Sequence, residues 1–388
     1  MQSPLDIPEL VEHCIGFLSN SNPDLIASAL VAHSWLHPAQ SHLFRAPHLR
    51  NGGVESSEHQ LLRLHNILEA SPHLIRHVRE LSINRNYRNY TFREDRITNT
   101  TLAKICNLEF TRLQSVSISE MQQLSELSIP LANALQRLLS APSICTLRLH
   151  ATFSDLFTLI QIWEHCSPAI RHLDLSVRLY DDGFRQGIVE DFLPGISDRA
   201  PSIPLQSLRI SFSRSHAYDQ HTLIPCALYP FVLSHLTALN IHGEWIVPWK
   251  HFESSTLQIL DVKAMKRGSA IDLSLFPNLL HLRMTLVQPI PPMMFGTLAT
   301  ISSAHHIRTI FIRFCFDSSI SNHSRCVQLD FTLSNLHPPI PITFEMSFSQ
   351  QDQAKGLFPK LLSANMLRLI TFRREPWNVL EPSIETTS

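Results

Sequence analysis

Residues 167–175 read SPAIRHLDL, and this stretch carries both halves of the unit from which most of the chain is built. Ser167-Pro168 closes the helix-spaced run DLFTLIQIWEHC (155–166). Proline has no N–H and biases its predecessor away from helix, so it stops the helix and turns the chain. Ile170, Leu173 and Leu175 then follow the order apolar-x-x-apolar-x-apolar. The last two apolar positions flank a polar residue, which is the period of a short β-strand with one buried face.

The six-residue pattern returns along the chain. It reads VRELSI (78–83), LQSVSI (113–118), ICTLRL (144–149), IRHLDL (170–175) and LQSLRI (205–210). It continues as LTALNI (236–241), LQILDV (257–262), LLHLRM (279–284), IRTIFI (307–312) and LRLITF (367–372). The central apolar residues are Leu81, Val116, Leu147, Leu173, Leu208, Leu239, Leu260, Leu282, Ile310 and Ile370, spaced 21 to 35 residues apart with one gap of 60. Leucine-rich repeats run about 20–29 residues. This array straddles that range and has no fixed Asn or Cys after the strand, so the reading is an irregular leucine-rich-repeat-like array.

The connecting segments agree. EHQLLRLHNILEASPHL (58–74) and LANALQRLLSAPSI (131–144) have helical apolar spacing, and each ends in a small residue and proline, at Ser71-Pro72 and Ala141-Pro142. FLPGISDRAPSI (192–203) ends the same way at Ala200-Pro201. A helix, a small residue with proline, then a strand cannot bury its own apolar face. Neighbouring units must stack. The expected fold class is α/β: a parallel sheet with helices outside, arranged as a solenoid over 51–376, with short turns replacing helices after Leu239. Within the long gap, CVQLDFTLS (326–334) and PITFEMSFS (341–349) alternate apolar and polar residues, which predicts a hairpin or two further strands. Residues 377–388 read as a frayed tail.

Residues 1–50 follow a different rule. IPELVEHCIGFL (7–18) places Leu10 or Val11, Cys14, Ile15 and Leu18 on one helical face, with Pro8 suited to the first turn. NPDLIASALVAHSW (22–35) has Asn22 as N-cap and Pro23 at the first helical position, and Pro38 opens a third short helix. Three helices in about 45 residues bury too little surface to be comfortably stable alone, so the unit is expected to dock on another protein.

The segment LDIPELVEHCIGFLSNSNPDLIASALVAHSWLHPAQSHLFRAPHL resembles an F-box, of the fungal (basidiomycete-type) kind followed by a long leucine-rich-repeat-like region. The resemblance rests on Pro8-Glu9-Leu10, Ile15-x-Phe17-Leu18, Asp24-Leu25, Leu30 to Trp35, and Leu43-Phe44. The chain departs from that pattern at its start, Leu5-Asp6-Ile7-Pro8, and at Ala32, where a Cys is usual. The resemblance implies that the helices bind the Skp-type linker of an SCF (Skp–cullin–F-box) ubiquitin ligase, and through it a cullin. It implies further that the repeat region recruits a protein substrate. It assigns the linker-binding face to Leu5, Ile7, Pro8, Leu10, Ile15, Leu30, Val31 and Trp35, with Trp35 as the anchor; the alternative role for Trp35, compatible with the first, is a core residue that packs the unit onto the first repeat.

Composition narrows the rest. Hydrophobic residues make up 44%, charged residues 17%, and the formal net charge is −1, which excludes dense phosphate or anionic-membrane binding as the main role. No apolar run approaches the ~20 residues of a membrane span. Seven scattered Cys with no C-x-x-C read as free thiols in a reducing compartment, cytoplasmic or nuclear. His33/His37 and His73/His77 are spaced i, i+4, but H-E-x-x-H is absent, so these read as surface or capping histidines and no metal or other cofactor is expected. No G-x-S-x-G elbow or Gly-rich phosphate loop occurs; YDDGF (180–184) reads as a polar turn and FRREPW (372–377) as a solvated strand end. No catalytic residue is expected.

Substrate contacts are expected on the concave strand face, at the polar x between the last two apolar positions: Arg148, Asp174, Arg209, Asn240, Asp261 and Arg283. The competing reading is a plain repeat scaffold whose N-terminal helices only cap it, although caps normally carry a polar outer face. A helix-turn-helix DNA binder would need a basic recognition helix, and residues 22–37 hold no Lys or Arg.

Overall fold

The computed structural model describes residues 7–51, 57–85, 96–121, 128–153, 156–179, 203–213, 228–243, 249–264, 270–286, 290–301, 306–315, 323–346 and 348–371. Leu5, the turn at 180–184, the helix end at Ala200-Pro201, Arg373 and Arg374, and the tail 377–388 lie outside them. The chain divides into two compact units, Met1–Leu233 and Ser234–Ser388. Both are mixed α/β.

The first unit opens with helices α1 (Pro8–Gly16), α2 (Asn22–Ala29) and α3 (His33–Leu43). Strands β1 (His48–Asn51), β2 (Glu80–Arg85), β3 (Ser115–Met121), β4 (Thr146–Phe153), β5 (His172–Leu179) and β7 (Ser207–Ser213) follow, all parallel and in chain order. The two-residue strands β6 (Ile203–Pro204) and β8 (Phe231–Val232) pair apart from them. Between the main strands run α4 (Ser57–Ala70), α5 (Arg96–Cys106), α6 (Ile129–Leu139) and α7 (Leu156–Glu164). On α6 the residues Leu131, Ala134, Leu135, Leu138 and Leu139 are buried, the stripe that the 3.6-residue period requires.

In the second unit β9 (Ala238–Gly243), β10 (Ile259–Ala264), β11 (His281–Leu286), β12 (Thr309–Phe314), β13 (Ile342–Met346) and β14 (Leu367–Thr371) are again parallel and in chain order. The short 3-10 turns Trp249–Phe252 and Leu273–Leu275 connect the earlier strands, and the helices Pro292–Ala299, His323–Ser334, Phe348–Leu357 and Pro359–Ser363 the later ones. Phe344 is fully buried between Phe314 and Phe358, with ring centroids at 5.3 and 4.8 Å.

A single hydrogen-bond device starts successive strands. The N–H groups of Gln114 and Ser115 both donate to the carbonyl of Arg79, at 2.7 and 3.0 Å. Cys145 and Thr146 do the same to Gln114, Arg171 and His172 to Cys145, and Gln206 and Ser207 to Arg171. The second unit repeats the device with Gln258 and Ile259 on Thr237, then Leu280 and His281 on Gln258. The carbonyl of Arg45 is the first such acceptor, receiving Arg79 and Glu80 at 2.8 and 3.0 Å. Each forked carbonyl fixes the register of the next strand. The central apolar residues therefore lie side by side: Leu81, Val116, Leu147, Leu173 and Leu208 in one unit, Leu239, Leu260, Leu282 and Ile310 in the other.

The structure corrects several local expectations. Short turns replace helices after Leu239 only as far as β11; from Pro292 on, helices connect the strands again. On α2 the N-cap is Ser21, and Asn22 is the first helical residue. Residues 323–334 form a helix, not a strand of a hairpin. Its buried residues are Cys326, Leu329, Asp330 and Leu333, which follow helical spacing, while Val327 and Phe331 of the apparent alternation face solvent. The buried Asp330 accepts hydrogen bonds from the N–H groups of Lys360 and Leu361, at 3.1 and 3.0 Å, and so caps the helix Pro359–Ser363. On β14 the residue level with Ile342 is Leu367, three positions before the expected Ile370, because Asn365, at φ 54°, turns the chain into the strand early. The helix expected over 22–35 ends at Ala29; Ala32 is extended, and Trp35 belongs to α3. This break lets α3 fold back against both α1 and α2. Finally, Pro38 sits inside α3 rather than at its start.

Candidate interaction surfaces

The N-terminal helices close on a small core. Val11, Ile15, Leu25 and Ala39 are its buried residues, with Leu18, Ala29, Trp35 and Leu43 packed against them. Val11, not Leu10, takes the inward position on α1, and Cys14 faces solvent. Ile15 is fully buried, so it supports a surface from within instead of forming one. Trp35 is half-buried against the core.

The other residues of the assigned face are exposed. Leu30 and Val31, in the break between α2 and α3, are 83% and 65% accessible. Ile7, Pro8 and Leu10 are exposed at the start of α1. Ile26, one turn before Leu30, and Phe17, just past α1, are exposed as well and were not assigned to the linker-binding face. Their signal was present: each is an apolar residue out of phase with the buried stripe. Burying side chains of this kind is worth roughly 1.5–3 kcal/mol apiece. The helices thus leave a substantial apolar area unused.

The polar face of the strands is the second surface. In the first unit, Arg148, Asp174 and Arg209 lie side by side on β4, β5 and β7. The Asp174 carboxylate has Nε2 of His150 at 3.1 Å and Nη1 of Arg209 at 3.8 Å.

In the second unit one row runs Asn240, Asp261, Arg283, Phe311, Thr343 and Arg368 across β9 to β14. Nδ2 of Asn240 donates to Asp261 at 3.2 Å, and Nε of Arg283 stands 3.9 Å from the same carboxylate. The Arg283 guanidinium also lies over the Phe311 ring, 4.6 Å from its centroid. Two residues further along the strands, Arg313 forms a two-pronged ion pair with Glu345, and Nη2 of Arg283 reaches within 3.8 Å of Glu345. Burial works against the Arg313 charge, but the hydrogen bond and charge of Glu345 outweigh it and hold its pKa above the ordinary value.

All six strand-face candidates therefore share the polar face of their own unit. His150, Phe311, Arg313 and Glu345 join them and were missed in the sequence. Phe311 occupies the same x position but is apolar; the others sit one pleat further on, where the same alternation would have found them.

Among the described residues no group of three or more His, Cys, Asp or Glu is placed to hold a metal ion. Among them, too, no helix is long and apolar enough to cross a membrane. No protein-family model matches this chain. Nor does any curated protein sequence.

Proposed function

We propose that this chain is a non-catalytic substrate adaptor of an SCF-type ubiquitin ligase, working in the cytoplasm, the nucleus or both. In this reading residues 1–50 are an F-box-like helical domain that binds a Skp-type linker and, through it, a cullin. Residues 51–376 are an irregular leucine-rich-repeat-like solenoid that recruits a protein substrate, and 377–388 are a tail.

The observation that carries the reading is the mismatch within α1–α3: four buried core residues against exposed Ile7, Leu10, Phe17, Ile26, Leu30 and Val31. A capping unit has no use for such a surface, whereas an interface core selects it. The polar strand face, with aromatic and arginine side chains together at Phe311, Arg283 and Arg313, suits recognition of a second protein.

The test is co-expression of the full chain with a fungal Skp-type subunit, beside the variant Leu30→Asp/Val31→Asp. Both positions are exposed, so the variant keeps its fold. A stoichiometric complex formed by the native chain and lost by the variant supports the proposal. If the folded native chain does not retain the linker, the helices are a cap and the ligase reading falls.

A further inference from the structure

Two histidine pairs that look like surface repeats in the sequence meet in the structure. His37, on α3, and His77, the last residue of the 3-10 turn Pro72–His77, set their rings edge to face with centroids 4.9 Å apart. His77 is not a surface residue: it is 6% exposed, and its Nε2 has no hydrogen-bond partner among the described residues. Because α3 packs on this turn, the rings lie in the seam between the N-terminal helices and the first repeat.

The charged groups bearing on His77 are His37 from α3, His73 and Arg76 from its own turn, and Arg112 from the segment before β3. All four are cations or become cations on protonation. The helix α4 also packs on the turn, and its buried His65 stands 3.6 Å from the carboxylate of Glu69. His77 has no such counterpart among these groups. A proton on its buried ring would add a charge that no described neighbour receives.

We infer that the seam is a proton-sensitive clasp, which holds α1–α3 on the repeat while His77 is neutral and releases them when His77 is protonated. Burial first, and then the neighbouring cations, push the His77 imidazole down from its ordinary 6.5 to about 4. A group whose pKa is depressed in the closed state binds protons more readily once the seam opens. Closure is therefore complete above about 6.5 and is lost as pH falls towards 4, with the equilibrium moving on the order of 100-fold across that window. This holds whatever partner α1–α3 bind.

The test is hydrogen exchange with mass spectrometry on the full chain between pH 7.5 and 4.5, corrected for the intrinsic pH dependence of exchange. Protection of α1–α3 should fall more than tenfold on acidification while β3 to β5 keep theirs. The variant His77→Phe, which keeps a ring but has no proton site, should hold α1–α3 protected throughout. Flat protection in the native chain, or an unchanged pH response in His77→Phe, overturns the clasp. If that variant does not fold, an NMR titration of the native chain decides: a His77 midpoint well below 6.5, coincident with loss of α3 amide protection, supports the clasp. A midpoint at or above 6.5 overturns it.

Discussion

Arg313 on β12 and Glu345 on β13 form a two-pronged ion pair on the polar strand face, with Nη2 to Oε1 at 3.0 Å. Glu345 is 8% exposed, and Nη2 of Arg283 also stands 3.8 Å from its carboxylate. Removing one member of a buried pair leaves the other's charge without compensation, whereas replacing both with apolar residues is often close to neutral. Arg313 is itself partly solvated, which lowers the cost. Arg313→Ala should therefore cost about 1–2 kcal/mol, and Arg313→Met/Glu345→Leu less than either single change. Urea unfolding of the four corners of this cycle measures it. Additive effects would show that the pair is not coupled.

Trp35 packs against the core of α1–α3 while remaining half-exposed. Its truncation should lower the stability of these helices by about 2–3 kcal/mol, less than the full loss for a buried aromatic. Leu30→Asp/Val31→Asp should change stability by no more than about 0.5 kcal/mol per site, because both side chains are already in water. Exchange protection of α1–α3 distinguishes the two variants. A destabilised Leu30/Val31 variant would mean that this surface is covered within the chain.

Gly296 lies inside the helix Pro292–Ala299, where alanine normally gains roughly 0.5–1 kcal/mol. Here a Cβ would stand 2.7 Å from Cβ of Ala270, an atom fixed to its own backbone. Gly296→Ala should thus destabilise the chain by about 1–3 kcal/mol, the reverse of the propensity expectation. Thermal or denaturant unfolding gives the sign directly. A gain in stability would show that residue 270 can yield.

The thiols should separate by reactivity. Burial pushes Cys106 up to about 12 and Cys326 up to about 11, while Cys14 is exposed on α1. The thiolate is the nucleophile, so at pH 8 an alkylating reagent should modify Cys14 and leave Cys106 and Cys326 intact until denaturant is added. Peptide mass spectrometry before and after unfolding checks this. Native-state labelling of Cys326 would mean that the helix His323–Ser334 opens readily.

The strands were legible because their signal is local. Each of the ten repeated segments contains a strand, since alternation gives one buried face, and before four of them a small residue and proline signal where a helix stops. The helix at 323–334 was not legible. Its inward face includes Asp330, and a carboxylate is acceptable there only because the N–H groups of residues 360 and 361, thirty positions away, receive it. Without that partner the alternation of Val327, Leu329, Phe331 and Leu333 outweighed the sparse helical spacing of Cys326, Leu329 and Leu333. The interaction surfaces were legible by residue type but not by neighbourhood: alternation put Asp174 and Arg283 on a polar face, and cross-strand register brought His150 and Glu345 to them.

The sequence by itself determined the α/β class, the repeated unit, the positions of its strands and the apolar excess of the first fifty residues. All of these depend on spacing within a few residues, which backbone periodicity converts directly into faces. Only the tertiary structure decided that Leu30 and Val31 stand out in solvent while Ile15 does not, that Asp330 is an inward cap, and that His37 and His77 share a seam. Each of those depends on a partner far along the chain, and no local period carries that information.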